Sequence, residues 1–110
     1  MNKISHLESQ SKRVLSDIIQ NEVKEDLGFI TITDCHLTKD LSFLYVYFTI
    51  LNKEELDKVL KGLERAKGFI RTSLVNRVTM RKAPELIFKY DETYEKGAKI
   101  ENLLRQINNK

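Results

Sequence analysis

Between residues 5 and 24, apolar side chains recur at Val14, Leu15, Ile18, Ile19 and Val23 among polar neighbours. That spacing puts them on one face of a helix. Asp26-Leu27-Gly28 is expected to stop the helix, with Gly28 suited to the turn. The period then changes. From 29 to 37, Ile30 and Ile32 alternate with Thr31 and Thr33, which reads as a strand. A short polar turn at 38–40 leads into a second strand, 41–51. It is apolar on both faces, with Leu44, Val46, Phe48 and Ile50 on one and Phe43, Tyr45 and Tyr47 on the other. So short a turn predicts an antiparallel hairpin.

A helix is expected from about residue 54, with Asn52 as its cap and Glu54, Glu55 and Asp57 in its first turn. Its apolar stripe is Leu56, Val59, Leu60 and Leu63. Ala66-Lys67-Gly68 should interrupt it, because glycine costs about 1 kcal/mol inside a helix. A further helix over 69–79 would use Ile70, Leu74 and Val78. Pro84 forbids helix and extends Ala83 before a third strand over 85–90. A last helix is expected over 93–107, with Ile100, Leu103, Leu104 and Ile107 inward. The pattern therefore predicts a single α+β domain, residues 1–110, in two layers with a three-stranded sheet.

Charge changes the picture. Residues 58–82 hold eight basic side chains and one acid, Glu64, a net of +7. The remainder holds 11 basic and 15 acidic residues, a net of −4. One cationic segment on an otherwise acidic chain is the footprint of a polyanion-binding surface. Helical spacing places Lys58, Lys61 and Arg65 nearly opposite the apolar stripe, where like charges repel without interleaved acids. Such a row is expected to face something negative. The plainer alternative is a solvated face that keeps the protein in solution.

Several stretches carry a resemblance. They are Lys12-Arg13-Val14, Thr31-Ile32-Thr33-Asp34, Lys39-Asp40-Leu41 and Val46-Tyr47. After them come Ala66-Lys67-Gly68-Phe69-Ile70-Arg71, Arg81, Pro84-Glu85-Leu86 and Phe88-Lys89-Tyr90-Asp91-Glu92. In this order and spacing the chain resembles the ribosome-binding factor A family over nearly its whole length. The resemblance implies a KH-like domain of type II topology, α-β-β-α-kink-α-β plus a C-terminal helix. It implies Ala66-Lys67-Gly68 in place of the GXXG loop of ordinary KH domains. It further implies a role in late maturation of the small ribosomal subunit and processing of its RNA. Leu44 stands where the family usually has a small residue. Residue 110 follows closely on the last expected helix, so a function that longer relatives place on a C-terminal tail is not expected here.

Catalytic constellations are hard to find. Cys35 beside His36 suggests an activated thiolate, but neighbours on a strand point to opposite faces, so a structural cysteine is expected. A single cysteine permits no internal disulfide. His6 and His36 lack metal-ligand spacing, and the glycines at 28, 62, 68 and 97 form no phosphate loop. Asp91, Glu92 and Glu95 read as helix-capping acids. Tyr45 and Tyr47 are read as packing residues rather than base-stacking ones. No export signal or membrane-length apolar run is seen, which points to the cytoplasm.

With what the resemblance implies, the expected protein is a monomeric, cofactor-free, non-catalytic factor that binds 16S rRNA and the free 30S subunit. The candidate RNA-binding residues are Lys58, Lys61, Arg65, Lys67, Gly68, Arg71, Arg77, Arg81 and Lys82. The resemblance adds a ribosome-associated GTPase as a partner for release. The competing reading is a protein-binding module on the ribosome whose basic face meets acidic protein.

Overall fold

The structure, a computed structural model, describes residues 3–92. Helix α1 spans Lys3–Asn21 and strand β1 Ile30–Leu37. Strand β2 spans Phe43–Ile50, and a 3-10 turn at Lys53–Glu55 opens helix α2, Leu56–Arg77. Strand β3, Glu85–Tyr90, completes the sheet. The order across it is β1-β2-β3, with β1 antiparallel to β2 and β2 parallel to β3. Parallel neighbours need a crossover, and α2 supplies it. The expected last helix over 93–107 lies outside the described residues.

Both helices bury their apolar stripes on one side of the sheet. Leu15 and Ile18 of α1 and Leu63, Ile70 and Leu74 of α2 are fully buried. They meet Leu44, Val46 and Phe48 of the central strand and Leu86 of β3 in one cluster. Each such side chain contributes roughly 1.5–3 kcal/mol by leaving water. Leu44 is therefore a core residue at the middle of the sheet.

A bulge in β1 sets what faces this core. Ile32 pairs with Phe48, but the register then shifts and Asp34 pairs with Tyr47. The extra residue is Thr33, whose hydroxyl donates to Asp91 Oδ2 at 2.6 Å. Without the bulge, strict alternation would send Asp34 and His36 inward. With it, Cys35 and Leu37 are buried instead. The chain pattern gave no sign of this shift.

Two expected features differ. First, α1 ends at Asn21, ahead of the expected stop, with Glu22 and Val23 donating to the Ile18 carbonyl. The segment up to Gly28, whose φ is +61°, then runs back along α2. Second, Ala66-Lys67-Gly68 does not separate two helices; it is helical throughout, inside α2. Val59, Leu63, Ala66, Ile70 and Leu74 are all buried along α2. This burial on both sides of Gly68 outweighs the glycine's penalty of about 1 kcal/mol.

Candidate nucleic-acid interface

The expected interface was one row of cations on the solvent side of α2. The structure places them differently. The carboxylates of Glu22, Glu25 and Asp26 follow α1 and lie beside α2. Arg65 donates both Nε and Nη2 to the Glu25 carboxylate, each at 3.0 Å. Lys58 reaches Asp26 at 3.5 Å. Arg77 contacts Asp17 at 2.8 Å and Glu22 at 2.9 Å. Ser73 donates to Glu22 as well, at 3.3 Å. Lys58, Arg65 and Arg77 thus lie at the seam between α2 and the acidic end of α1, not opposite the core.

Gly62 explains how the seam closes. It is buried, and a Cβ there would lie 2.7 Å from Leu27 Cδ2. The missing side chain lets Leu27 seat against α2 and brings Glu25 and Asp26 to their cations. These pairs span 32 and 40 residues of sequence, so helical periodicity could not reveal them. The usable signal was Gly62 on the buried face together with the Glu22, Glu25 and Asp26 acids.

The remaining candidates divide. Lys61 pairs with Asp57 within α2 at 3.1 Å, and Lys67 with Glu64 at 2.9 Å. The Lys67 ammonium also sits 6.0 Å from the centre of the Phe88 ring. Arg71 donates to the carbonyls of Pro84 and Ala83, at 3.0 and 2.8 Å, and so clamps the entry to β3. Lys82 donates to the Ser42 hydroxyl at 3.1 Å. Arg81 is exposed and has no such partner among the described residues. Gly68 is exposed, and an added Cβ would meet nothing within 4 Å.

Electrostatics follows the geometry. Hydrogen bonds from Arg65 foremost, with its charge behind them, hold the Glu25 carboxyl below the ordinary glutamate value, against the opposing effect of burial. The same contacts raise Arg65. Asp17 is lowered first by the Asn21 amide and then by Arg77.

Cys35 and His36 diverge as expected. Cys35 is buried, and desolvation foremost, with the Asp34 charge behind it, pushes its thiol up to about 12. A thiol so raised is protonated at neutral pH and is a poor nucleophile. His36 is exposed and lies 3.4 Å from Glu8. Asp91 serves the β1 bulge through Thr33, while Glu95 lies outside the described residues. Tyr45 and Tyr47 are half-buried on the sheet face away from both helices. The Lys89 ammonium lies 5.2 Å from the Tyr45 ring centre. Among the described residues, no helix is long and apolar enough to cross a membrane.

Residues 3–104 match the family described as ribosome-binding factor A. A relative of that description from Staphylococcus carnosus is 48% identical over 103 residues, covering 92% of this chain and 90% of its own. One from Natranaerobius thermophilus is 45% identical, covering 93% and 79%. The crystal structure of ribosome-binding factor A from Thermus thermophilus superposes with a TM-score of 0.73 at 35% identity. That match covers 81% of this chain and 97% of the other. A Thermus thermophilus homology model fitted into the cryo-EM map of a complex with the 30S subunit gives a TM-score of 0.63 at 36% identity. It covers 77% of this chain and 91% of the other.

Proposed function

This chain belongs to the ribosome-binding factor A family, and from that premise we propose that it binds the free 30S subunit through 16S rRNA and supports late 30S maturation and 16S rRNA processing. It does so as a monomer in the cytoplasm and without catalysing a reaction. A ribosome-associated GTPase assists its release. The observation that carries this reading is the likeness, in sequence and fold, to a relative fitted into a 30S complex.

Phosphate contacts come from the cations of 58–82, presented by one helix and the loop after it. Exposed Gly68 leaves room for a backbone to approach α2 closely. The paired cations exchange carboxylate partners for phosphates as the RNA arrives. This exchange makes binding weaker per cation than a free row would give. A surface of this kind recognises RNA shape and backbone more than sequence.

One observation favours the protein-binding alternative. Phe69 is 47% exposed on α2, beside Ala66 and Val23, an apolar spot next to the basic seam. Sedimentation separates the two readings. Tagged protein should travel with free small subunits and also bind protein-free 16S rRNA with a salt-dependent affinity. Binding to assembled particles alone would support the protein-binding reading. Absence from small subunits would refute both.

A further inference from the structure

A second group of cations lies away from the acidic seam. Lys3 at the start of α1, Lys39 in the β1–β2 turn and Arg81 after α2 border one cleft. Among the described residues, none of the three has an ion-pair or hydrogen-bond partner on its side chain. The cleft encloses about 410 Å³. Its floor is apolar, formed by Ile4, Leu7, Leu41 and Met80. It is of a size that takes a small ligand.

The turn that carries Lys39 is rigidly built. The Thr38 carbonyl accepts from Leu41 N at 2.9 Å. The Asp40 carboxylate accepts from Ser42 N at 3.0 Å and from the Thr38 hydroxyl at 2.9 Å. These contacts, the Ser42 N–H foremost, hold the Asp40 carboxyl below the ordinary aspartate value. The one acid of the turn is therefore occupied within the turn itself. Leu41 has a φ of +63°, a conformation that costs a non-glycine residue on the order of 1 kcal/mol. Leu41 is 6% exposed, a core residue that also borders the cleft.

We propose that this cleft is a binding site for one unstacked nucleotide of single-stranded RNA, with the base on the Leu7, Leu41 and Met80 floor and the flanking phosphates on Lys3, Lys39 and Arg81. It rests on the reading of the protein as an RNA-binding factor and adds a second contact at the far end of the charged segment from Lys58. The charge pattern points to RNA. Cations from three separate segments border an apolar floor, and a nucleotide pairs an apolar ring face with a negatively charged phosphate on either side. Single-stranded RNA is commonly read through bases splayed out of the stack. Free cations at the rim form new contacts without first breaking old ones.

The test uses the full chain, an eight-residue oligouridylate, protein-free 16S rRNA and 30S subunits. Lys39→Ala with Arg81→Ala removes two exposed charges and should leave the melting temperature unchanged. Its affinity for the oligouridylate should fall roughly tenfold, and the log-affinity versus log-salt slope should shrink by roughly 1.4, about 0.7 per lost phosphate contact. Methyl NMR reads the floor directly. Ring-current shifts at Leu7, Leu41 and Met80 on adding the oligouridylate support a base in the cleft, and unmoved methyls overturn it. If the double variant loses assembled subunits yet binds protein-free 16S rRNA normally, the occupant is a protein and the proposal fails. If it binds every probe normally while Lys58→Ala with Arg65→Ala abolishes 30S binding, the cleft is no RNA site but the family reading stands. If the wild-type chain binds no RNA and no 30S subunit, both readings fall.

Discussion

The cations at the seam and those at the cleft carry the same charge and differ in what they offer. At the seam, Lys58, Arg65 and Arg77 face Asp26, Glu25, Asp17 and Glu22. At the cleft, Lys39 and Arg81 face solvent above an apolar floor. A charge count over 58–82 treats Lys58, Arg65, Arg77 and Arg81 alike. A phosphate would not, because at the seam it must displace a carboxylate already held in place. Exposed ion pairs are individually weak, so that displacement is within reach of an incoming phosphate. It nevertheless lowers the gain from each contact. The charge available to a partner therefore depends on pairing across the fold as well as on local charge density.

The largest expected effect comes from breaking the seam at its anchor. Leu27 is 6% exposed and packs against the space that Gly62 leaves open. Leu27→Ala should destabilise the protein by roughly 2–4 kcal/mol, read from the urea midpoint at unchanged m-value. It should also loosen Glu25 and Asp26 from Arg65 and Lys58. A loss below about 1 kcal/mol would show that the acidic segment is not held by this contact, and the seam would then be a loose association of surface charges.

Much of the fold was legible because local rules decided it. The 3.6-residue spacing of Leu15, Ile18 and Ile19 survives in α1, and the alternation of Ile30, Thr31 and Ile32 survives in β1 as far as the bulge. Asn52 caps the 3-10 turn that opens α2, accepting from Glu54 N at 3.2 Å, rather than α2 itself. The Glu85–Tyr90 strand lies where Pro84 and the apolar pattern placed it. What escaped the sequence was decided at long range. Gly68 reads as a break by propensity, but buried residues on both sides hold the helix through it. Thr33 looks like an ordinary strand residue, and only its bond to Asp91, 58 positions on, marks the bulge. The RNA-binding candidates were chosen on charge, and charge alone cannot show which cations already have partners. Arg71 is the sharpest case. Its guanidinium binds the Ala83 and Pro84 carbonyls and holds the sheet entry, a structural duty that no motif announces.

Gly68 supplies the next effect, of about 1 kcal/mol. It sits inside α2 without positive φ, and an added methyl group meets nothing. Gly68→Ala should therefore stabilise the protein by about 1 kcal/mol, seen as a higher melting temperature. Binding should move the other way if an RNA backbone approaches this surface closely. A more stable variant with weaker 30S association would assign α2 a contact distinct from its cations. A more stable variant with unchanged association would shift weight to the cleft end of the segment.

The smallest effect is a pH dependence, and it separates the two ends most directly. Glu25 and Asp17 have folded-state values below the ordinary ones, held there by Arg65 for Glu25 and by Asn21 and Arg77 for Asp17. A depressed value means the folded state binds fewer protons than the unfolded chain in mild acid. The stability these groups add is therefore complete above the ordinary carboxyl range and drains as pH falls below about 4. As they protonate, Arg65 loses its carboxylate partner and becomes available to phosphate, while Arg77 loses Asp17 and keeps Glu22. Among the described residues, Lys39 and Arg81 have no carboxylate partner to lose. Oligouridylate is a suitable probe, since uracil gains no proton in this range. As pH falls from 7 to below 4 its log-salt slope should steepen by up to roughly 0.7, for the released Arg65. Glu25→Gln should reproduce that steepening at pH 7 and abolish most of the pH response. Lys39→Ala with Arg81→Ala should lower the slope equally at both pH values. If acid leaves the wild-type slope unchanged while the fold persists, the seam cations never meet phosphate, and the RNA contact belongs to the cleft end alone.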